Sequence, residues 1–272
     1  MPELPEVEIT KRGIEPHIVG KRIRELLVRD RRLRWPIEKG LEKKLKASKV
    51  LSVARRAKYI LVNCDSGCLI IHLGMSGSLR ILSETQKPGK HDHFDLTFED
   101  GSILRYRDPR RFGALLWTED NPSLHPRIKN LGPEPLESKF DWRALRDRIS
   151  GSESPIKLQI MKNEVVVGVG NIYANESLFR AGIHPHTIAK KVGTIRSKRL
   201  VAAIKETLAS AIEAGGSSLR DFYQADGTKG YFQQNYFVYG QGGKSCRVCG
   251  HTIRSTTTSQ RSTFFCSNCQ KR

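Results

Sequence analysis

Residues 246–269 read CRVCGHTIRSTTTSQRSTFFCSNC, and this stretch holds four of the six cysteines in the chain. Cys246 and Cys249 form one C-x2-C pair, Cys266 and Cys269 form a second, and 16 residues separate the pairs. Two such pairs can converge on one tetrahedral Zn²⁺. An iron–sulfur cluster uses the same thiolates, but more often at other spacings. We therefore predict one zinc ion per chain, structural because four cysteine ligands leave no open coordination position.

The segment between the two pairs is most simply a β-hairpin, with Arg261 near its tip. A segment that begins near Gly242 is too short to bury a core of its own, so it needs a staple. We therefore expect the metal to hold the hairpin tip rigid. Cys64 and Cys68 lie in apolar sequence on either side of a short turn, which predicts two buried, reduced thiols without an assigned function.

The charge balance of the chain is strongly basic. Its 272 residues include 47 Lys and Arg against 28 Asp and Glu, a formal charge of +19. A charge this large indicates a polyanionic partner, and nucleic acids and anionic membrane surfaces both qualify. No apolar run reaches the length of a membrane span, and no basic and apolar leader opens the chain. These features predict a soluble, cytoplasmic protein without a membrane partner.

The N-terminal half predicts one helix followed by strands. PELPEVEITKRGIEPHIVG predicts a helix that ends near Gly20, with Pro2 at a first helical position. Residues 49–118 predict successive antiparallel strands, joined by turns at Asp65-Ser66-Gly67 and Glu99-Asp100-Gly101. Several antiparallel strands in series indicate a sandwich or a barrel.

The C-terminal half predicts helices. The stretch NLGPEPLESKFD is rich in Pro and polar residues and is typical of a linker. Farther along, apolar residues recur every four positions, which predicts a helix ending at Gly215-Gly216; they are Leu200, Ile204, Leu208 and Ile212. IKLQIMKNEVVVGVGNIYANESLFRAG predicts a helix, a glycine-rich turn and a second helix. The fold class is therefore α+β.

Short motifs occur in a characteristic order along the whole chain: PELPEVE, RRAKY, HLGMSGSLR, KHDH, DPRRFG, LGPEPL, VVGVGNIYANESLF, AGIHP, GGSSLRDF and the cysteine segment. Together they resemble the bacterial formamidopyrimidine-DNA glycosylases, from residue 2 to the end. Each motif alone is weak evidence, but their joint order is specific. Enzymes of the related endonuclease VIII type typically have Gly where this chain has Leu4, which favours the formamidopyrimidine branch.

The resemblance implies an N-terminal β-sandwich domain with an N-terminal helix over residues 2–134 and a linker over 135–152. A helical helix-two-turn-helix domain follows over 153–241, and a four-cysteine zinc-finger hairpin over 242–272. Within the helical domain, GGSSLRDFYQADGTKGYF corresponds to the loop that covers the everted base. The resemblance also implies a monomer that acts on duplex DNA containing oxidised bases or abasic sites.

The chemistry implied by the resemblance begins at Pro2, which becomes the first residue once Met1 is removed. Its secondary amine matches the nucleophile that attacks C1′ of the damaged nucleotide and displaces the base as an iminium forms. Glu3 matches the general acid, and Lys58 the lysine of β-elimination. Arg261 matches the arginine of δ-elimination, which also grips phosphates. From the residues alone, Glu3 would be an acid facing the helix dipole at the surface.

The resemblance also implies a set of residues that hold the DNA: Met75, His91, Arg110, Phe112, Ser152, Lys157, Asn171 and Glu176. Met75, Arg110 and Phe112 match the trio that fills the gap left by the everted base. Asn171 opens a helix after glycines, a setting typical of phosphate binding. Family members often have lysines near Ser152, where this chain has SGSESP.

From the residues alone, several of these side chains have other interpretations. Met75 and Phe112 could be core residues, and Glu176, Glu6 and Glu8 could be surface acids. His91 and His93 could be metal ligands, but no third ligand is evident nearby. Two alternative functions also remain: an endonuclease VIII-like enzyme for oxidised pyrimidines, and a non-catalytic lesion-binding zinc-finger protein. Binding alone has no need of an N-terminal amine, which favours an enzyme.

Overall fold

The computed structural model describes residues 2–83, 86–215 and 236–272, and these form two compact units. The first unit takes in residues 2–129, and the second begins at Asn130. Each unit contains its own secondary structure and its own part of the candidate site. The loop proposed to cover the everted base lies almost wholly outside the described residues.

The first unit contains eight strands, two helices and a 3₁₀ turn among its described residues. They are α1 (Leu4–Ile18), β1 (Ile23–Val28), α2 (Leu41–Leu45), β2 (Val50–Arg56), β3 (Tyr59–Cys64), β4 (Gly67–His72), β5 (Ser78–Leu82), β6 (Asp92–Phe98), β7 (Ile103–Arg107), β8 (Ala114–Thr118) and a 3₁₀ turn (Pro122–Leu124). The strands form two antiparallel four-stranded sheets, with strand orders β1-β6-β7-β5 and β2-β3-β4-β8. The turns predicted after Cys64 and after Phe98 join β3 to β4 and β6 to β7.

Both sheets and α1 contribute to one hydrophobic core, which confirms the expected sandwich. Fully buried side chains of this core include Ile14 of α1, Leu96 and Leu104 of one sheet, and Val62 and Ile71 of the other. The apolar side chains on the inner face of each sheet are therefore shielded from water by the opposite sheet and by α1.

One strand of the sandwich was not predicted from the sequence. β1 pairs with β6, with Leu26 opposite Leu96, and closes an edge of its sheet. Its segment, IRELLV, has two consecutive charged residues and two consecutive leucines instead of a strict alternation. The period-2 signal is therefore weak, and the pairing with a partner about 70 positions away decides the conformation.

The second unit is helical up to its C-terminal hairpin. Its elements are α3 (Trp142–Ile149), α4 (Ile156–Ile160), α5 (Asn171–Arg180), a 3₁₀ turn (Ala189–Lys191), α6 (Thr194–Glu213), β9 (Arg254–Thr258) and β10 (Arg261–Phe265). The side chains that recur every four positions in α6 are buried, as predicted; they are Leu200, Ile204, Leu208 and Ile212. α5 packs against α6 and β10.

The segment predicted as a linker, residues 135–152, contains α3. Asp141 caps this helix by accepting a hydrogen bond from the Ala144 N–H at 2.8 Å, and Leu145 and Ile149 are buried. α3 packs against α6 within the second unit. Among the described helices, none has the length and apolar character needed to cross a membrane.

Candidate functional site

The N-terminal residues are held by a reciprocal cap at the start of α1. The Glu3 N–H donates to Glu6 Oε2 at 2.8 Å, and the Glu3 carboxylate accepts from the backbone of Glu6. The sequence predicted Pro2 at a first helical position. The helix instead begins at Leu4, so Pro2 precedes the N-cap. Glu6 is fully buried, which corrects its interpretation as a surface acid.

Glu8, on the next turn of α1, is also not a free surface acid. Its Oε2 accepts from Arg55 Nε of β2 at 2.7 Å, and its Oε1 accepts from Arg12 Nε at 2.9 Å. Burial raises the pKa of Glu8, but the hydrogen bonds from Arg55 and Arg12 outweigh it and lower the pKa overall. This ion pair ties the N-terminal helix to the strand that leads to Lys58.

Lys58 lies in the two-residue turn between β2 and β3, not within a strand. Arg56 pairs with Tyr59 across this turn, and Ala57 adopts a left-handed backbone with φ 53°. Arg55 Nη1 donates to the Ala57 carbonyl oxygen at 2.9 Å. A tight turn of this kind projects Lys58 from the end of a hairpin whose position is set by Arg55 and Glu8.

A half-buried histidine lies close to Lys58. His72, the last residue of β4, has its pKa lowered to about 4, first by burial and then by the charges of Lys58 and Arg34. Its Nδ1 accepts from the Gly74 N–H at 2.9 Å, and its ring contacts Tyr59 at a centroid distance of 4.9 Å. The imidazole is therefore neutral at pH 7 and adds no positive charge beside Lys58.

Met75, Arg110 and Phe112 are carried by two loops in direct contact. Met75 lies between β4 and β5, and the other two lie between β7 and β8. A Cβ on Gly74 would lie 2.4 Å from the carbonyl carbon of Phe112, so the two backbones touch. Phe112 is 45% exposed, with the Arg110 guanidinium 5.4 Å from its ring centroid. Phe112 is therefore not a core residue, and the structure brings the predicted trio to one surface of the first unit.

The residue that joins these loops, Asp108, was not singled out from the sequence. It is fully buried, and its carboxylate accepts from Ser76 Oγ at 2.6 Å and from the Gly113 N–H at 2.8 Å. The available signal was the motif DPRRFG, in which Asp108 directly precedes the loop that carries Arg110 and Phe112.

His91 and His93 lie on either side of Asp92 at the start of β6. His91 is partly exposed, and its carbonyl oxygen accepts from the Asp108 N–H at 3.0 Å. His93 is buried, with its Nε2 2.7 Å from the Asp108 carbonyl oxygen. Because a carbonyl oxygen only accepts, this nitrogen carries the proton and is engaged in a hydrogen bond rather than presented to a metal.

In the second unit, Asn171 begins α5 directly after Gly170. Its Nδ2 donates to the Ser262 carbonyl oxygen at 3.0 Å, which links the helix start to the hairpin residue beside Arg261. Farther along α5, Asn175 Oδ1 accepts from the Phe264 N–H at 2.8 Å. The helix expected to hold a phosphate and the finger are therefore joined by direct hydrogen bonds.

Lys157 is fully buried beneath the same hairpin. Its Nζ donates to the Ser262 carbonyl oxygen at 2.8 Å and to Thr263 Oγ1 at 2.7 Å. Lys157 was predicted as a DNA contact. Its ammonium is engaged with the hairpin and fixes the position of Ser262.

Glu176 is buried in α5 and organises the chain that enters the finger. Its Oε1 accepts from the N–H groups of Val238 and Tyr239, and its Oε2 accepts from that of Phe237, all within 3.0 Å. It is therefore not a helix-surface acid.

Ser152 lies just beyond α3, where its carbonyl oxygen accepts from the Lys190 N–H at 3.1 Å.

Arg261 is the first residue of β10 and pairs with Thr258 of β9. Between them, Ser259 and Gln260 adopt positive φ angles of 46° and 62°, typical of a tight two-residue hairpin turn. Arg261 is exposed beside this tip, as the sequence predicted.

The four cysteines of the finger converge on one point. Their ligand atoms all lie within 4.8 Å of one another, with Sγ–Sγ distances of 3.9 Å for Cys246 and Cys269 and 3.4 Å for Cys249 and Cys266. Tetrahedral Zn–S bonds place sulfurs about 3.8 Å apart, so the arrangement fits one Zn²⁺. Hydrogen bonds, first from the backbone of His251, lower the pKa of Cys249, whereas burial raises the pKa values of Cys266 and Cys269; a bound Zn²⁺ would favour the thiolate at all four cysteines.

Cys64 and Cys68 take no part in this cluster. Both are buried free thiols, and burial raises the pKa of each to about 12. The prediction of two buried, reduced thiols is therefore confirmed.

Three family models match successive parts of the chain. The formamidopyrimidine-DNA glycosylase N-terminal domain matches residues 1–115, the H2TH domain of the same family matches 131–223, and a zinc finger found in FPG and IleRS matches 243–272. The formamidopyrimidine-DNA glycosylase of Methylobacillus flagellatus is 53% identical over 271 residues, covering 100% of this chain and 97% of that protein.

Two solved structures of Lactococcus lactis Fpg share the fold. The wild-type protein (MutM) in complex with DNA containing N7-benzyl-Fapy-dG matches with a TM-score of 0.90 at 34% identity and covers 100% of both chains. The protein in complex with DNA containing an abasic site matches with a TM-score of 0.89 at 33% identity, covering 99% of this chain and 100% of that chain. The chain therefore belongs to the formamidopyrimidine-DNA glycosylase family.

Proposed function

We propose that this protein is a bifunctional DNA glycosylase and abasic-site lyase that removes 8-oxoguanine and formamidopyrimidines from duplex DNA. The observation that carries the proposal is the pair formed by Pro2 and the buried Glu3 beside the first turn of α1. Pro2 directly precedes Glu3, and Glu3 is itself buried and held as the N-cap of α1. Loss of Met1 then leaves a secondary amine whose neighbour is a carboxyl group in a fixed position.

The chemistry begins with attack of the Pro2 nitrogen on C1′ of the damaged nucleotide. An α-amino group has a pKa near about 8, against about 10.4 for a lysine side chain, so more of it is unprotonated at neutral pH. As the N–C1′ bond forms, the glycosidic bond breaks, and Glu3 supplies a proton in this step. Loss of the amine proton and opening of the sugar leave an iminium between Pro2 and C1′.

The iminium makes the C2′ proton acidic, so the strand can break by elimination. The C2′ proton leaves, the C3′–O bond breaks, and the 3′ phosphate departs with the electron pair. Lys58 serves this β-elimination, and Arg261 serves the second elimination, in which the 5′ phosphate leaves. Zn²⁺ holds the finger and supplies no step.

The remaining site residues hold the DNA in this proposal. Met75, Arg110 and Phe112 occupy the space vacated by the everted base, and Asn171 and His91 contact phosphates. The charge of +19 favours a polyanion such as DNA. We place the enzyme in the cytoplasm of a bacterial cell, at the chromosome, where it acts as a monomer.

The decisive experiment is borohydride reduction of the protein mixed with a duplex that contains one 8-oxoguanine. We expect a covalent protein–DNA adduct, with peptide mapping that places the link on Pro2. The matched control carries a removable N-terminal extension: no adduct before its removal, and a full adduct afterwards. An adduct that forms equally well with the extension in place would refute the role of Pro2.

A second experiment tests Glu3 and the substrate class. Glu3→Gln should retain DNA binding and lose base excision, whereas Glu15→Gln, on the same helix, should behave as the wild type. Excision by the wild type should be faster with 8-oxoguanine than with an oxidised pyrimidine. The reverse preference would favour an endonuclease VIII-like enzyme, and binding without any adduct would favour a non-catalytic protein.

A further inference from the structure

Asp108 carries a buried carboxylate that is the meeting point of four hydrogen-bond donors. Oδ1 accepts from Ser76 Oγ at 2.6 Å and from the Arg110 N–H at 3.2 Å. Oδ2 accepts from the Gly113 N–H at 2.8 Å and from the Tyr106 hydroxyl at 3.2 Å. A carboxylate has about four acceptor positions, which these donors occupy; the Arg110 N–H is shared with Ser76 Oγ at 3.2 Å, and the Tyr106 hydroxyl with the His72 carbonyl oxygen at 3.3 Å. A buried charge is stabilised by such a complete set of bonds.

The backbone of Asp108 joins a further segment to the same point. Its N–H donates to the His91 carbonyl oxygen, and its own carbonyl oxygen accepts from His93 Nε2. Asp108 therefore connects the chain before β6, the loop between β4 and β5, and the loop between β7 and β8. These three segments carry the four DNA contacts proposed for the first unit, which are Met75, His91, Arg110 and Phe112.

The loop between β4 and β5 and the loop between β7 and β8 are packed too closely to shift independently. A Cβ on Gly113 would lie 1.7 Å from the Tyr106 hydroxyl oxygen, and one on Gly77 would lie 2.6 Å from the same atom. Tyr106 is itself fully buried. The positions of Gly113 and Gly77 therefore leave room only for glycine, and the hydroxyl that Asp108 accepts from lies between the loops.

We propose that Asp108 is a positioning residue whose carboxylate locks the two loops together, so that Met75, Arg110 and Phe112 enter the DNA as a preformed wedge. This proposal rests on the proposed function. Holding the wedge before binding lowers the ordering cost of insertion, because fewer side chains and loop residues must be fixed when DNA arrives. Phe112 fits this role, since its ring is half-exposed at the surface, next to Gly113, whose N–H donates to Asp108.

The test is Asp108→Asn, in which an amide NH₂ replaces one carboxylate oxygen. The hydroxyls of Ser76 or Tyr106 can turn to accept from this group, but the N–H of Arg110 or Gly113 cannot. The loop between β7 and β8, which carries Asp108, Arg110 and Gly113, therefore loses one of the bonds that hold it in shape, and the Ser76 hydroxyl must reorient, while the shape of the side chain is kept. The matched control is Asp95→Asn, another buried acid of the sandwich, which pairs with Arg105 at 2.7 Å and Arg29 at 2.6 Å outside these loops.

Two readouts separate positioning from general stability. The first is the fluorescence of 2-aminopurine placed opposite a tetrahydrofuran abasic analogue, which rises when the wedge unstacks the base. The second is the rate of 8-oxoguanine excision under single-turnover conditions. We expect Asp108→Asn to slow excision about tenfold, or about 1.4 kcal/mol at 25 °C, and to reduce the fluorescence rise. Asp95→Asn should lower the melting temperature comparably, with less than about a twofold effect on either readout.

Phe112→Ala provides a test of coupling, since Asp108 is proposed to act by positioning Phe112 and its neighbours. The loss of excision rate in the Asp108→Asn/Phe112→Ala double variant should be smaller than the sum of the two single losses, because only Met75 and Arg110 then still depend on Asp108. Additive losses, or equal effects of Asp108→Asn and Asp95→Asn at matched stability, would overturn the proposal. If Asp108→Asn does not fold, Ser76→Ala removes one of the four bonds and should give a smaller loss on both readouts; no loss there would also overturn it. A wild type that forms no borohydride adduct would instead refute the proposed function.

Discussion

Lys157 Nζ lies 2.7 Å from Thr263 Oγ1, although 106 positions separate the two residues along the chain. The same ammonium donates to the Ser262 carbonyl oxygen, next to Arg261. A lysine at the start of α4 thus binds the zinc-finger hairpin through two hydrogen bonds. The buried ammonium therefore holds the residue next to Arg261 in place.

Lys157→Met should weaken DNA binding without changing its salt dependence. A phosphate contact contributes about one unit to the slope of log K against log [salt], and a buried ammonium contributes none. We expect affinity to fall about tenfold at constant slope, because the variant takes the buried donor away from the Ser262 carbonyl oxygen and the Thr263 hydroxyl, at a cost of about 1–3 kcal/mol. Fluorescence anisotropy over a salt series measures both quantities. Lys162→Met, on the exposed surface nearby, is the control, and a slope reduced by one unit would show a direct contact.

Glu6→Ala should destabilise the start of α1 and slow formation of the Pro2 adduct. Removing the cap leaves the Glu3 N–H without its acceptor, at a cost of about 1 kcal/mol. Glu6→Gln should restore much of the loss, because an amide oxygen can accept the same hydrogen bond. Denaturant unfolding and the rate of borohydride trapping check the two effects. If Glu6→Ala forms the borohydride-trapped adduct at the wild-type rate, the cap does not contribute to the reaction of Pro2.

Removal of zinc should unfold the finger and weaken DNA binding. Four thiolates brought together without a metal repel one another, and the small hairpin has little core of its own. We expect one zinc per chain by elemental analysis, and a loss of affinity on chelation that added zinc reverses. Cys249→Ser should reproduce this loss. Cys64→Ser should retain both zinc and affinity, and loss of zinc in that variant would contradict the assignment of the ligands.

Stability should fall as the pH drops from about 6.5 to about 4, partly through His72. Its folded pKa of about 4 lies below the ordinary value of 6.5, so in this window the unfolded chain binds a proton that the folded chain does not. The contribution is therefore present above pH 6.5, and at most about 3 kcal/mol is lost as the pH falls. His184, whose pKa burial also lowers to about 4, adds to the trend.

Replacement of the histidine isolates its share of this slope. His72→Asn keeps an acceptor for the Gly74 N–H and removes the titrating group, so the loss of stability between pH 7 and 4.5 should be smaller. Urea unfolding at a series of pH values measures the change. His17→Asn, at an exposed position of α1, should leave the slope as in the wild type. An unchanged slope in His72→Asn would show that other groups carry the effect.

Local spacing was sufficient to predict several elements of this protein. The cysteine pairs, the turn after Cys64 and the four-residue repeat of α6 depend on residues close in sequence, and all three are confirmed. Short-range geometry decides such features, because a C-x2-C turn or one face of a helix is formed within a few residues. The order of the motifs also identified the family.

Tertiary structure alone decided what the charged residues do. Glu6, Glu176 and Lys157 have the sequence context of surface or DNA-binding groups, yet each is buried with its partners in place. Asp108 acquires its role from Ser76, 32 positions away, and β1 becomes a strand only against β6. The physical reason is that burial and hydrogen-bond partners depend on which distant segments pack together, and a charge is stable inside a protein only where that packing supplies its partners.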